Sequence, residues 1–222
     1  MKDYYPIEVF HWAGMKDENI FELVDILNKY PEYVHEKNSF GDNCLFIAIK
    51  AGNFNMVRYL IEKTLIDINH IGDDGNALMI AIEHNRNDMI DYLLSKKIKM
   101  NVKNKLGQNI YHVAAKKGNS DLIEKFLELN VEGLSIQDLD KNNQHCLFNV
   151  IENYSMHKNY WCFDLIQDLY SKKLLETKNV YQRNILDEAI EKQEDLKNKF
   201  PKMPDLANRF DPIINVLQSR LE

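Results

Sequence analysis

The sequence predicts an all-α fold of stacked helix–turn–helix units. Three observations predict it. First, residues recur at a fixed spacing of 33: Ala48, Ala81 and Ala114 in one series, Val24, Val57, Ile90 and Ile123 in another, Leu27, Leu60, Leu93 and Phe126 in a third. A constant period of this length marks a repeat architecture. Second, each unit has the same parts. In Leu106 to Leu127 a turn at Gly107 leads into a short helix through Tyr111–Ala115, Gly118-Asn119 breaks it, and a second helix carries Leu122, Ile123, Phe126 and Leu127. Third, such a unit is too short to bury its own apolar face and needs copies on either side.

The turn and first helix carry a recognisable motif. Gly107-Gln108-Asn109-Ile110-Tyr111-His112-Val113-Ala114-Ala115 is its fullest copy, and Gly41-Asp42-Asn43-Cys44-Leu45-Phe46-Ile47-Ala48 is the next. Gly75-Asn76-Ala77-Leu78-Met79-Ile80-Ala81 is one residue shorter in the turn. These resemble the ankyrin repeat, in which a Gly is followed by Thr-Pro-Leu-His-x-Ala, although no copy has the full Thr-Pro-Leu-His. The resemblance implies one ankyrin-repeat solenoid over residues 1–222, with turns projecting as fingers and the first and last of about six repeats acting as caps.

The repeats fall at about 4–37, 38–71, 72–102, 103–137, 138–178 and 179–222. In the first, Phe10-His11-Trp12-Ala13-Gly14 takes the place of the inner helix and Leu23, Val24 and Leu27 form the outer one, which Pro31 stops. Its outer face is expected to be polar, because an end repeat meets water. The second has Leu45–Lys50, a break at Gly52-Asn53, Met56–Glu62 and an exit loop at Asp67-Ile68-Asn69. The third repeats this with Leu78, Ala81, Ile90, Leu93 and Met100-Asn101-Val102. The beat then stretches. Leu147 lies 36 residues after Tyr111, and the fifth outer helix, Phe163–Tyr170, follows an added segment at 153–161. The sixth has Leu186 and Ala189 in its inner helix. Its outer helix, Ile213 to Leu217, follows a polar loop holding Pro201, Pro204 and Pro212. The small residues Ala13, Ala48, Ala81, Ala114 and Ala189 let neighbouring helices approach closely.

The bulk numbers exclude several classes. An apolar content of 45% suits a folded protein. The net charge of −6 and the lack of a basic run argue against nucleic acid. No stretch approaches 18 apolar residues, and the first residues, with Asp3, do not read as a secretory signal. Cys44, Cys146 and Cys162 form no disulfide framework, so a reducing, cytoplasmic setting is expected.

No phosphate loop, metalloprotease helix, paired-cysteine motif or nucleophile elbow occurs, so the chain is expected to be non-enzymatic, with no cofactor and no metal. His112 stands where the resemblance implies a histidine hydrogen-bonded to a neighbouring turn. His11 and His145 are read as structural too. Cys44 and Cys146 hold equivalent places beside the Leu slot and read as buried small residues. Asp138-Leu-Asp140-Lys-Asn142-Asn143 begins like a calcium loop but lacks its Gly and its twelfth-position Glu, and reads as a turn.

The functional signal lies at the turn tips. Phe40, Leu106 and Tyr181 place large apolar groups where exposure is costly unless a partner covers them. They could equally pack on the adjacent finger. The resemblance implies that partners touch finger tips and inner-helix ends. The candidate partner-binding residues are therefore Phe40, Asp42, Asp74, Leu106, Gln108 and Tyr181 on the turns, with Lys50, Glu83, His84, Lys116, Lys117 and Glu152 at the helix ends. Trp161 in the added segment joins them, beside Tyr154 and Tyr160.

The expected function is binding one protein partner, with a basic surface suited to the net −6, and masking or inhibiting it through a concave face. The module is expected to be a monomer when free. An immunity-type inhibitor or adaptor is one form of this; an effector of a pathogen or virus acting on a host protein, in the host cytosol, is another. The rival from a different class is an enzyme or ligand-binding site in the fifth and sixth repeats built from Asp164, His157 and Cys162.

Overall fold

A computed structural model describes residues 5–15, 20–153, 163–164 and 169–222. The chain divides into two compact units, Met1–Lys105 and Leu106–Glu222.

The first unit holds three helix pairs. They are α1 (Glu8–Ala13) with α2 (Ile20–Lys29), α3 (Cys44–Ala51) with α4 (Phe54–Lys63), and α5 (Ala77–Glu83) with α6 (Asn87–Ser95). The inner helices α1, α3 and α5 pack in sequence, each against its own outer partner. Ala13, Ala48 and Ala81 are fully buried at these contacts, as the spacing predicts. A helix of seven or eight residues is unstable alone, so tertiary burial must hold it. Here Leu45, Ile49, Leu78 and Leu60 supply that burial.

Two of these inner helices, α3 and α5, start on an asparagine. Asn43 Oδ1 accepts from the Phe46 N–H at 3.0 Å, and Asn76 Oδ1 from the Met79 N–H at 3.2 Å. Such caps satisfy N–H groups that have no partner within the helix. The Asn76 side chain also donates to the Lys99 carbonyl at 2.7 Å and fixes its own exit loop. The outer helix α2 ends at Lys29, and Pro31 opens a 3-10 turn, Pro31–His35. A two-residue antiparallel pair, β1 (Ile71–Gly72) with β2 (Gly75–Asn76), builds the third turn.

On the first repeat the exposed positions of α2 are Phe21, Asp25, Asn28 and Lys29, and Tyr5 and Ile7 are exposed ahead of α1. Exposed apolar groups of this kind are common on protein surfaces.

The second unit begins with α7 (Ile110–Lys116) and α8 (Ser120–Leu129), and α7 packs on α9 (Cys146–Asn153). A four-residue helix, α10 (Lys172–Leu175), then precedes α11 (Ile185–Lys199), which packs on α9. The fifth outer helix falls partly outside the described residues; Phe163 is buried and Tyr170 is buried in a turn. The segment read as a polar loop contains a helix, α12 (Pro204–Asn208), ahead of α13 (Asp211–Leu221). Proline is favoured in a first helical turn, where its missing N–H has no partner to lose. Pro204 and Pro212 each start a helix in this way. Gln193 holds the segment down, donating to the Ala207 carbonyl at 3.4 Å and to Asp211 Oδ1 at 2.6 Å.

Candidate functional site

The turns share one construction. Asn38 Oδ1 accepts from the N–H groups of Phe40 and Asp42, both at 2.9 Å. Asp140 Oδ1 accepts from Asn142 at 2.8 Å and Gln144 at 3.0 Å, and Asn179 Oδ1 from Tyr181 at 2.9 Å and Arg183 at 3.2 Å. These are side-chain-closed turns, the conformation that Asn and Asp favour. In the segment that begins like a calcium loop, Asp140 Oδ1 is thus committed to its own turn.

Successive turns are tied through their backbones. In the first unit the Asp73 N–H donates to the Phe40 carbonyl at 3.1 Å, and the Lys105 N–H to the Asp73 carbonyl at 2.9 Å. In the second the Lys141 N–H donates to the Leu106 carbonyl at 2.9 Å, and the Val180 N–H to the Asn142 carbonyl at 3.0 Å. Gly107 is needed here. Its φ is +80°, and a Cβ would sit 3.0 Å from the Lys141 nitrogen.

On this framework Phe40 is 63% exposed, Leu106 54% and Tyr181 69%. The Tyr181 ring carries the Arg183 guanidinium 5.3 Å from its centroid. Arg183 in turn pairs with Glu188 at 3.2 Å and with Glu191. The spacing gave no sign of Arg183, which lies two residues beyond the tip and on none of the repeat positions.

In the first unit three candidates meet. Lys50 Nζ lies 2.9 Å from Asp42 Oδ2 and 3.3 Å from Asp74 Oδ2, so it joins two turns from the end of α3. Burial works against the lysine charge, but the hydrogen bond and field of Asp42, then those of Asp74, outweigh it and raise its pKa. Asp42 is only 2% exposed, whereas the Asp74 side chain is 65% exposed. Asp42 therefore offers a partner little surface and mainly holds Lys50. Glu83 is half-buried and His84 is exposed at the end of α5.

In the second unit Gln108 and Lys117 are half-buried, while Lys116 and Glu152 are exposed at the ends of α7 and α9. Although the Glu152 side chain keeps solvent contact, the protein packed around its carboxyl removes enough hydration to raise its pKa, and Glu188 and Asp140 raise it further, against Lys192 and Lys116. Trp161, with Tyr154 and Tyr160, lies outside the described residues, as do His157 and Cys162. Asp164 is exposed.

Of the residues read as structural, His112, His145, Cys44 and Cys146 are buried, whereas His11 is exposed. His112 is 1% exposed. Its Nδ1 lies 2.8 Å from Asn109 Oδ1 and 3.3 Å from the Asn109 nitrogen, and its Nε2 is 3.1 Å from the Gln144 carbonyl. The Gln144 carbonyl can only accept, so a proton on Nε2 ties α7 to the following turn. Cys44 and Cys146 are fully buried, and burial pushes the Cys44 thiol up to about 12. Such a thiol stays protonated and inert. No group of three metal-ligating side chains is found among the described residues, and no described helix is long and apolar enough to cross a membrane.

Paired helices stacked through capped turns define a helical repeat protein. The family model for ankyrin repeats matches residues 10–104 in three copies, so the chain carries ankyrin repeats over that stretch. An ankyrin repeat protein of Acanthamoeba polyphaga mimivirus is 26% identical over 163 residues, 70% of this chain. The human transient receptor potential cation channel subfamily A member 1 is 34% identical over 89 residues, 40% of this chain. The matched stretches span 25% and 8% of those relatives' own lengths. Among solved structures, a chain from the complex of a predatory endopeptidase of Bdellovibrio bacteriovorus with an immunity protein superposes with a TM-score of 0.64. That match has 18% identity and covers 95% of this chain and 99% of the other, a likeness of fold. Ankyrin repeats imply protein–protein interaction.

Proposed function

We propose that this protein is a non-enzymatic inhibitor that binds one protein partner through its turn tips and inner-helix ends and masks it. The carrying observation is the exposure of Phe40, Leu106 and Tyr181 on turns that are hydrogen-bonded to their neighbours. Large apolar groups on rigid supports bind with little loss of conformational freedom. Lys50, Asp74, Lys116 and Glu152 flank them as charged orienting groups, and the net −6 favours a partner with a basic surface. The free protein is a monomer of the cytosol, a setting in keeping with the buried thiols Cys44 and Cys146. The inhibitor form is chosen because the structural neighbour comes from a complex between an endopeptidase and an immunity protein. The mimivirus relative favours a second reading, a viral effector directed at a host protein.

The test is affinity capture with wild type beside the Phe40→Asp/Leu106→Asp/Tyr181→Asp variant, from source and host lysates. The expected result is one stoichiometric protein retained by wild type and lost by the variant, whose own activity falls when wild type is added. Equal retention by the variant removes the tips from the site; a captured enzyme with unchanged activity removes inhibition.

A further inference from the structure

Four inner helices begin on an asparagine that closes their first turn: Asn43, Asn76, Asn109 and Asn184. The position before α9 breaks the pattern, for it holds His145. Its ring is fully buried, and neither ring nitrogen has a hydrogen-bond partner of acceptable geometry. The ring lies edge-on to Tyr170, centroids 4.7 Å apart, and tilted on Phe148 at 4.8 Å. An unpaired buried polar group costs stability without specifying a shape, and the site gives a charged imidazolium no room to hydrate.

Tyr170 is a junction. Its hydroxyl donates to the Ile136 carbonyl at 2.7 Å and lies 3.2 Å from Cys146 Sγ. Its carbonyl accepts from Arg220 Nη2 of α13 at 2.8 Å. The packing that encloses His145 is therefore also the packing that ties the last helix to the fifth repeat. The ionisable side chains around the ring are His112 from α7, Cys146 on α9 and Tyr170, with backbone at Leu174 from α10. No carboxylate is among the described groups that act on its charge.

We propose that His145 is an acid-sensitive latch: its protonation requires opening of the Tyr170 junction, so mild acid releases α9 and the last helix. Burial first, then the field of His112, pushes the imidazole down to about 3, against a weaker opposing effect of the Leu174 backbone. In the opened state the ring regains the ordinary value near 6.5. Between these values the open state holds one more proton than the closed one, so opening rises about tenfold for each pH unit lost below roughly 6.5. The latch is independent of the partner proposed above.

The experiment is amide hydrogen exchange by mass spectrometry at pH 7 and pH 5, corrected for intrinsic rates. Peptides covering 146–153 and 211–221 are compared with 44–51 of the first unit. Wild type is expected to open about 25-fold more at pH 5 in the first two peptides and little in the third. His145→Asn and His145→Phe are expected to abolish the difference. Should the variants not fold, the His145 Cε1 chemical shift in wild type serves instead, and is expected to stay constant from pH 7.5 to 5. A ring that titrates near 6.5 in the folded protein overturns the proposal, as does an equal rise in all three peptides or an undiminished rise in the variants.

Discussion

Arg86 Nη2 donates to the Lys50 carbonyl at 2.8 Å, and Arg86 Nε donates to the Ile49 carbonyl at 3.3 Å. The guanidinium thus covers the last carbonyls of α3 from the start of the next outer helix. Asn53, which takes the same place one repeat earlier, donates to the Met15 carbonyl at 2.8 Å. Cations are favoured at helix C-termini, where the carbonyl dipoles converge. Arg86→Ala is expected to cost about 1–3 kcal/mol in urea unfolding. A loss under about 0.5 kcal/mol, the range of ordinary surface changes, would show that the contact is incidental.

Gly52 makes room for that guanidinium. Its φ is +80°, and a Cβ there would lie 2.8 Å from Arg86 Cζ. Gly52→Ala is expected to cost at least about 1 kcal/mol from backbone strain alone. The double variant with Arg86→Ala is expected to lose less than the two singles together, since the clash is then gone. Simple additivity in a double-mutant cycle would refute the link.

Asn109 serves two places at once. Its Oδ1 accepts from the Tyr111 and His112 N–H groups, while its Nδ2 donates to the Ser135 carbonyl at 2.8 Å and reaches Asp138 Oδ2 at 3.2 Å. Asn109→Ala is expected to cost about 2 kcal/mol. Asn109→Asp keeps the cap but sets a carboxylate against a carbonyl and Asp138. It should be no milder than Ala at pH 7, and milder at pH 4, where carboxyls begin to protonate. Thermal melts at the two pH values decide this; an Asp variant as stable as wild type at pH 7 would contradict it.

Glu152 has its carboxyl raised in the folded protein, by burial first and Glu188 next. The folded state therefore holds its proton more tightly than the unfolded one, so stability falls as pH rises through that range. Below the unfolded value, near 4.3, the penalty is absent. Glu152→Gln is expected to raise the melting temperature at pH 7 and to leave it unchanged near pH 3.5. A lower Tm at pH 7 would show that the charge is stabilising.

Phe40→Asp, Leu106→Asp and Tyr181→Asp, tested singly, are expected to shift stability by no more than about 0.5 kcal/mol, because these tips are exposed. A drop of 2 kcal/mol or more at any one of them, in urea unfolding, would make that residue structural.

The sequence by itself determined the architecture. The beat of 33, the buried alanines, the glycine turns and the Asp67-Ile68-Asn69 exit all follow from local pattern, because each repeat packs on near-copies of itself. The first two outer helices were legible down to their buried positions, as at Leu23, Leu27, Met56 and Leu60. Only the tertiary structure decided the rest. It set Lys50 between Asp42 and Asp74, drew Arg86 onto α3, turned Phe21 outward and folded Pro204–Asn208 into a helix. It also left His145 buried with no well-formed hydrogen bond where its counterparts are capping asparagines. Periodicity fixes which residues face a neighbouring repeat. Which atoms meet there depends on side chains about 30 residues away, and a pattern within one repeat does not contain them.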